Sequence, residues 1–302
     1  MSARRISILL SATVLLAGCA VTAPPAPQEP PALGMYGTDA HLAPSKADTV
    51  LRYGDHPRAL ADLRLPSGAG PLPLAVIFHG GCWKTGIADR HYMEPLATRW
   101  QSHGIATLNV EYREVGDGGG WPGSFADWAN ASTLLRELAR DPRIDMKRLT
   151  FVGHSAGGLP AQWLAAGQGE QGPVGERLPA FAASAIVFDG PADLGRDQPA
   201  FDSLCQFSSV APFMGGTLAE VPDRYAAISP LVHPPALRDL LFVQAKLPSP
   251  HPFALASLRE GGAVVKVVLK PEATHFDVIT PGAAAYQAVE PQVLALLRDA
   301  RE

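Results

Sequence analysis

A chain of 302 residues, 47% hydrophobic and 18% charged, with 29 glycines and 29 prolines, can bury a sizeable core joined by many turns, which excludes a disordered chain and a coiled coil. Its 25 Lys and Arg against 29 Asp and Glu give a formal charge of -4, so no basic excess exists to neutralise a phosphate backbone and nucleic acid is excluded as a partner. Three cysteines, with no CxxC pair and no zinc-finger spacing to histidines, exclude the usual structural zinc site and a disulfide framework.

The chain begins on a secretory plan: Arg4 and Arg5, an apolar run from Ile6 to Leu16, then small residues at Ala17 and Gly18 before Cys19. The run is too short to span a bilayer as a helix. Leu16-Ala17-Gly18-Cys19 resembles a bacterial lipobox, which implies a signal over residues 1–18 and lipidation of Cys19. A plain signal peptide cut near Ala20 or Ala23 is the alternative. The lipobox reading places the protein outside the inner membrane, held to the envelope by a lipid anchor, and Ala20 after the cysteine leans towards the outer membrane of a Gram-negative cell. Losing both arginines leaves 23 basic against 29 acidic residues, a charge near -6. Residues 22–31, TAPPAPQEPP, read as an extended tether, so residues 19–45 lead to a single domain over 46–302.

Within that domain, short apolar runs alternate with segments of helical period, the pattern of a mostly parallel sheet covered by helices on both faces. The alternating runs Asp48–Tyr53 and Ala59–Leu65 predict an antiparallel entry to the sheet. Buried strands are expected at Leu74–Phe78, Ile105–Val110, Leu149–Val152, Ser184–Phe188, Leu240–Gln244 and Val264–Leu269. Helices are expected at Arg90–His103, Phe125–Arg140, Ser155–Ala166, Pro252–Glu260 and Ala283–Arg298. Segment 196–229, rich in Phe, Met and Pro, predicts a small cap. Ligands of such sheets bind beyond the carboxyl ends of the strands, so the chemistry should follow each strand.

After the strand ending at Val152 comes Gly153-His154-Ser155-Ala156-Gly157, a GxSxG pentapeptide between a buried strand and a helix. That context puts the Ser155 hydroxyl on a sharp turn at the mouth of the sheet. After Phe78 stands His79-Gly80-Gly81-Cys82-Trp83, whose glycines let backbone N–H groups approach a developing oxyanion. Gly81 and Cys82, with Ala156, are the candidate oxyanion donors. Cys82 and Cys205 can pair in an oxidising compartment, but their spacing does not force them together, and burial as small apolar residues is the favoured reading.

Together these motifs resemble the α/β-hydrolases of esterase/lipase type whose oxyanion loop reads HGG(G/C)W, close to carboxylesterases and arylformamidase-like hydrolases. The similarity runs from about Leu51 to the C-terminus and takes in Asn109-Val110-Glu111-Tyr112-Arg113, the loop through Gly116, Trp121 and Pro122, and Thr274-His275-Phe276-Asp277. It implies an α/β-hydrolase fold with a small cap, Ser155 as nucleophile, His275 as general base, a small-molecule acyl substrate, and no metal or cofactor. Trp83 and Trp121 are candidate substrate-binding residues, with core packing an equal alternative.

One part of the pattern is missing. The family's acid normally follows the strand at Leu240–Gln244, yet residues 240–259 contain no Asp or Glu. The relocated candidates follow the preceding strand: Asp189, which is favoured, and Asp193, which more often caps a loop. The expected activity is hydrolysis of a carboxylic ester through an acyl-enzyme. The rivals are an amide, formamide or peptide substrate on the same fold, and a degenerate envelope binding protein that has lost turnover with its acid.

Overall fold

A computed structural model describes residues 43–299 apart from 69, 168–180 and 231–236. The expected export signal, Cys19 and the proline-rich tether lie outside these residues. Among the described residues, no helix is long and apolar enough to cross a membrane.

Eight strands form one sheet: β1 (Thr49–Arg52), β2 (Leu60–Arg64), β3 (Leu72–Phe78), β4 (Ala106–Val110), β5 (Ile144–His154), β6 (Ser184–Phe188), β7 (Asp239–Gln244) and β8 (Val264–Leu269). They lie in the order β1-β2-β4-β3-β5-β6-β7-β8. Only β2 runs against its neighbours, pairing antiparallel with both β1 and β4, and every later pairing is parallel. This is an α/β-hydrolase fold. Strands β3, β4, β6 and β7 are buried throughout, as is β5 from Leu149 onward, as strands covered on both faces must be. Strand β8 departs from the expectation, with Val264 and Leu269 exposed, because it is an edge strand with one free side.

Helices α1 (Glu94–Ser102) and α8 (Ala284–Arg298) cover one face. Helices α2 (Gly123–Leu138), α3 (Gly158–Ala166) and α7 (Pro252–Glu260) cover the other. The division follows the strand alternation: Leu74, Val76 and Phe78 of β3 point into the second layer, Ala75 and Ile77 into the first. The expected helices at 90 and 155 each open with a 3-10 turn, Arg90–Met93 and Ser155–Gly157. Between β6 and β7 stand three helices, α4 (Leu194–Cys205), α5 (Val210–Met214) and α6 (Pro222–Ala226). Helices α5 and α6 have five residues each, too few for a period to be read, and α4 holds Pro199 internally, which reads as a helix breaker.

Register aligns the carboxyl ends of the central strands. Phe78 pairs with Gly153, His154 with Phe188, and Phe188 with Val243. The segments that follow these residues therefore emerge along one edge.

Candidate active site

Ser155 follows β5 directly and sits at φ 54°, a left-handed conformation that costs a non-glycine residue about 1–3 kcal/mol. The turn that imposes it is tight. A Cβ at Gly153 would lie 1.9 Å from the Gly157 carbonyl oxygen, and one at Gly157 would lie 2.2 Å from that of Phe78, so both flanking glycines of the motif are obligatory. The 3-10 turn and α3 begin at the serine, which puts the positive end of the helix beneath it.

The loop after β3 lies beside this turn, and both Cys82 and Trp83 take φ 53°. Among the described residues, no acceptor takes the N–H of Gly81 or Cys82. Two expectations for this loop are corrected here. Cys82 and Cys205 do not stay as separate thiols: they form a disulfide with Cα atoms 6.1 Å apart, because α4 crosses the loop and brings residues 123 positions apart together. Trp83 is fully buried, which favours the packing alternative over substrate contact. Its ring stacks on Phe213 at 4.3 Å and on Phe201 at 4.7 Å, and its indole N–H donates to the Ala156 carbonyl at 3.1 Å. It thus ties the loop after β3 to the turn that carries Ser155. Trp121 is half-buried, with its ring 4.8 Å from Phe125 and the Arg224 guanidinium 5.7 Å away.

His275 lies beyond β8, and its Nδ1 stands 2.7 Å from Asp189 Oδ2. A carboxylate accepts, so Nδ1 carries a proton and donates it. Asp189 follows β6 at φ 44° and is fully buried. The turn where the family's acid was expected has another use: the N–H groups of Ala245, Lys246 and Leu247 all donate to Asp189 at 2.8–3.0 Å. Burial alone would raise this carboxyl, but the His275 hydrogen bond and charge and the backbone donors outweigh it and hold it below the usual carboxylate range. Asp193 stands apart. It is the N-cap of α4, accepting from the Arg196 N–H at 2.9 Å and from the Ser229 hydroxyl. Ser155 Oγ and His275 are not hydrogen-bonded to each other, and in enzymes of this sort that bond tightens on substrate binding.

Beside the loop after β3 lies a buried charge cluster that sequence reasoning did not identify. His79 is fully buried, with Nδ1 2.7 Å from the Gly80 carbonyl and Nε2 3.1 Å from Glu111 Oε1. Both nitrogens face acceptors, so the ring carries both protons. Burial opposes that charge, but Glu111 and Glu114 reverse the balance and raise its pKa. Arg58 Nη2 donates to Glu111 at 2.6 Å and to Glu114 at 2.9 Å. The acidic residues were visible in NVEYREVGD, whereas nothing in the sequence ties Arg58 to them. Elsewhere Asp62, His91 and Glu94 bring ligand atoms within 4.8 Å of one another. Asp62 and Glu94 already accept from Arg90 and Arg64, and those two guanidiniums oppose a cation there.

Residues 61–236 match the BD-FAE family, an esterase-type α/β-hydrolase family. The chain belongs to the BD-FAE family. Solved structures agree with this BD-FAE chain in fold. A truncated carbohydrate esterase from gut microbiota aligns with a TM-score of 0.66 and 16% identity over 85% of this chain and 98% of that one. A Thermogutta terrifontis esterase aligns at 0.63 and 19% over 83% and 92%. A bifunctional GH43-CE protein of Bacteroides eggerthii aligns at 0.64 and 18% over 82% of this chain, which spans 38% of that longer one. No curated protein sequence matches the chain significantly.

Proposed function

We propose that this BD-FAE chain hydrolyses a carboxylic ester of a small acyl compound through an acyl-enzyme, with Ser155, His275 and Asp189 as the triad. The observation that carries the reading is the His275–Asp189 bond, with Asp189 held by three backbone donors. It leaves Nε2 as the only basic ring nitrogen of His275. His275 takes the Ser155 proton as Oγ bonds to the carbonyl carbon, and the N–H groups of Gly81, Cys82 and Ala156 receive the oxyanion. Collapse breaks the bond to the alcohol oxygen, which leaves with the proton from His275. Water then attacks the acyl-enzyme by the same route, releasing the acid and restoring the serine.

The carboxylate whose absence after β7 motivated a non-catalytic binding role stands at Asp189, in contact with His275, which favours turnover. The Thermogutta esterase is known with butyrate bound and phosphoramylated by tabun, which suits a short acyl group and an organophosphorus probe here. Trp121 is the proposed wall for an apolar group. We also read the chain as exported and lipid-anchored through Cys19, a reading supported by the Cys82–Cys205 disulfide, a bond that persists in oxidising compartments.

The test is turnover of a short-chain p-nitrophenyl ester by the purified protein beside Ser155→Ala, together with mass spectrometry after a fluorophosphonate. Ester hydrolysis lost in the variant and an adduct on Ser155 are expected. No turnover and no adduct in the unsubstituted protein would overturn the proposal.

A further inference from the structure

His154 is the second residue of the GxSxG turn, and its side chain plays no part in the reaction described above. It is almost fully buried, and each ring nitrogen has one partner. Nε2 stands 2.9 Å from the His275 carbonyl oxygen, and Nδ1 stands 3.0 Å from the Tyr92 hydroxyl oxygen. The Tyr92 oxygen in turn accepts from the Gly80 N–H, at the head of the oxyanion loop. The two histidine rings pack at 4.4 Å between centroids, with the Phe276 ring 5.4 Å from His154.

Chemistry fixes the direction of every bond in this chain. A carbonyl oxygen only accepts, so His154 must carry its proton on Nε2. Burial and the neighbouring His275 both disfavour a second proton and depress its pKa well below the usual value, so Nδ1 is an acceptor. Tyr92 must therefore donate its hydroxyl proton to Nδ1, which leaves its lone pairs free to accept from Gly80. One consistent polarity runs from the loop after β3, through the 3-10 turn before α1 and the end of β5, to the loop after β8. These are the segments that carry the candidate oxyanion donors, the nucleophile and the base.

Strand β8 is the half-exposed edge of the sheet, and its following loop returns to the core through Ala273, Val278 and Ile279, which flank the His275–Asp277 stretch. The Asp189 bond fixes the His275 ring, and the His154 bond fixes its backbone.

We propose that His154 and Tyr92 are positioning residues, which set the His275 backbone and the oxyanion loop in common register through the Nε2–H tautomer of His154. The proposal rests on the serine-hydrolase reading for its kinetic consequence, but not for its structural one.

Two measurements on the full chain test it. The first is nitrogen NMR of the histidine side chains in the otherwise unsubstituted protein, with the His154 signals assigned by their loss in His154→Gln. His154 should be the neutral Nε2–H tautomer, unchanged from pH 5 to 8. An Nδ1–H tautomer, or titration near the ordinary histidine value, would overturn the proposal whether or not the protein turns over an ester. The second compares Tyr92→Phe, His154→Phe and His154→Gln with the unsubstituted protein in p-nitrophenyl acetate hydrolysis across pH, at equal folded fraction. Losing the tie should lower kcat about 10- to 100-fold with KM nearly unchanged in the two Phe variants, and shift the acidic limb of the pH profile. Gln, which can donate and accept at once, should recover part of kcat. Unchanged kcat and pH profile in both Phe variants would reject the positioning role while leaving the hydrolase reading intact. Absence of turnover and of Ser155 labelling in the unsubstituted protein would instead reject that reading, with the tautomer still deciding the tie.

Discussion

At the scale of single residues, the site concentrates groups whose environments push them away from their ordinary behaviour. Glu114 is the clearest. One oxygen accepts from Arg58 and the other, Oε1, is buried without a hydrogen-bond partner, close against Gly81 of the oxyanion loop. Burial raises its pKa to about 7 against the pull of His79 and Arg58, with Glu111 and Asp117 adding repulsion. Glu111, only three residues away, is held at about 2, because His79 and Arg58 outweigh its burial. For Glu114 the folded state binds the proton more tightly than the unfolded state between pH 4.5 and 7, so its contribution to stability is full below that window and is lost as pH rises through it. Glu114→Gln removes this dependence. Chemical denaturation at pH 4.5 and pH 8 should show the variant gaining about 3 kcal/mol on the unsubstituted protein between the two. A pH-independent difference would mean that Glu114 ionises normally.

At the scale of elements, most of the sheet is legible because β3, β4, β6, β7 and the second half of β5 are mainly apolar runs bounded by turn residues, as a doubly covered strand requires. Strand β8 reads the same way in sequence yet stands half-exposed, since composition does not say which strand will be the edge. Helices α5 and α6 escape for lack of length, and α4 because Pro199 interrupts its pattern. The disulfide escapes because pairing depends on where α4 passes, a tertiary fact that the separation of Cys82 and Cys205 does not carry. That bond has an energetic and a chemical consequence. Closing a loop of 123 residues is worth about 5 kcal/mol in the chain-entropy account. It also ties α4 to Cys82, a proposed oxyanion donor. Reduction, or Cys205→Ser, should therefore lower the denaturation midpoint and reduce kcat about 10-fold or more, read as ester turnover with and without dithiothreitol. Unchanged turnover in the fully reduced, folded protein would show that the oxyanion loop holds itself.

At the scale of the whole molecule, the sheet acts as a ruler. Parallel strands in register end together, so the oxyanion loop, Ser155, Asp189 and the Ala245–Leu247 turn meet without any element bending out of its way. Ser155 and His275 could be singled out as candidates because GxSxG and the THFD segment follow one another in the chain order of the family they resemble. The carboxylate that meets His275 could be read only as a gap after β7 and a choice between Asp189 and Asp193, since no pattern in FDGPAD tells a carboxylate aimed at a histidine from one capping a helix. The proposed triad places the acid one strand earlier than usual, at Asp189. The most direct measurement is kcat for ester hydrolysis by Asp189→Asn beside Asp193→Asn, each at equal folded fraction. The account predicts a loss of about 10⁴ for the first, and for the second a loss of about 1 kcal/mol in stability with kcat unchanged. Full turnover in Asp189→Asn, or the large loss appearing in Asp193→Asn, would contradict it.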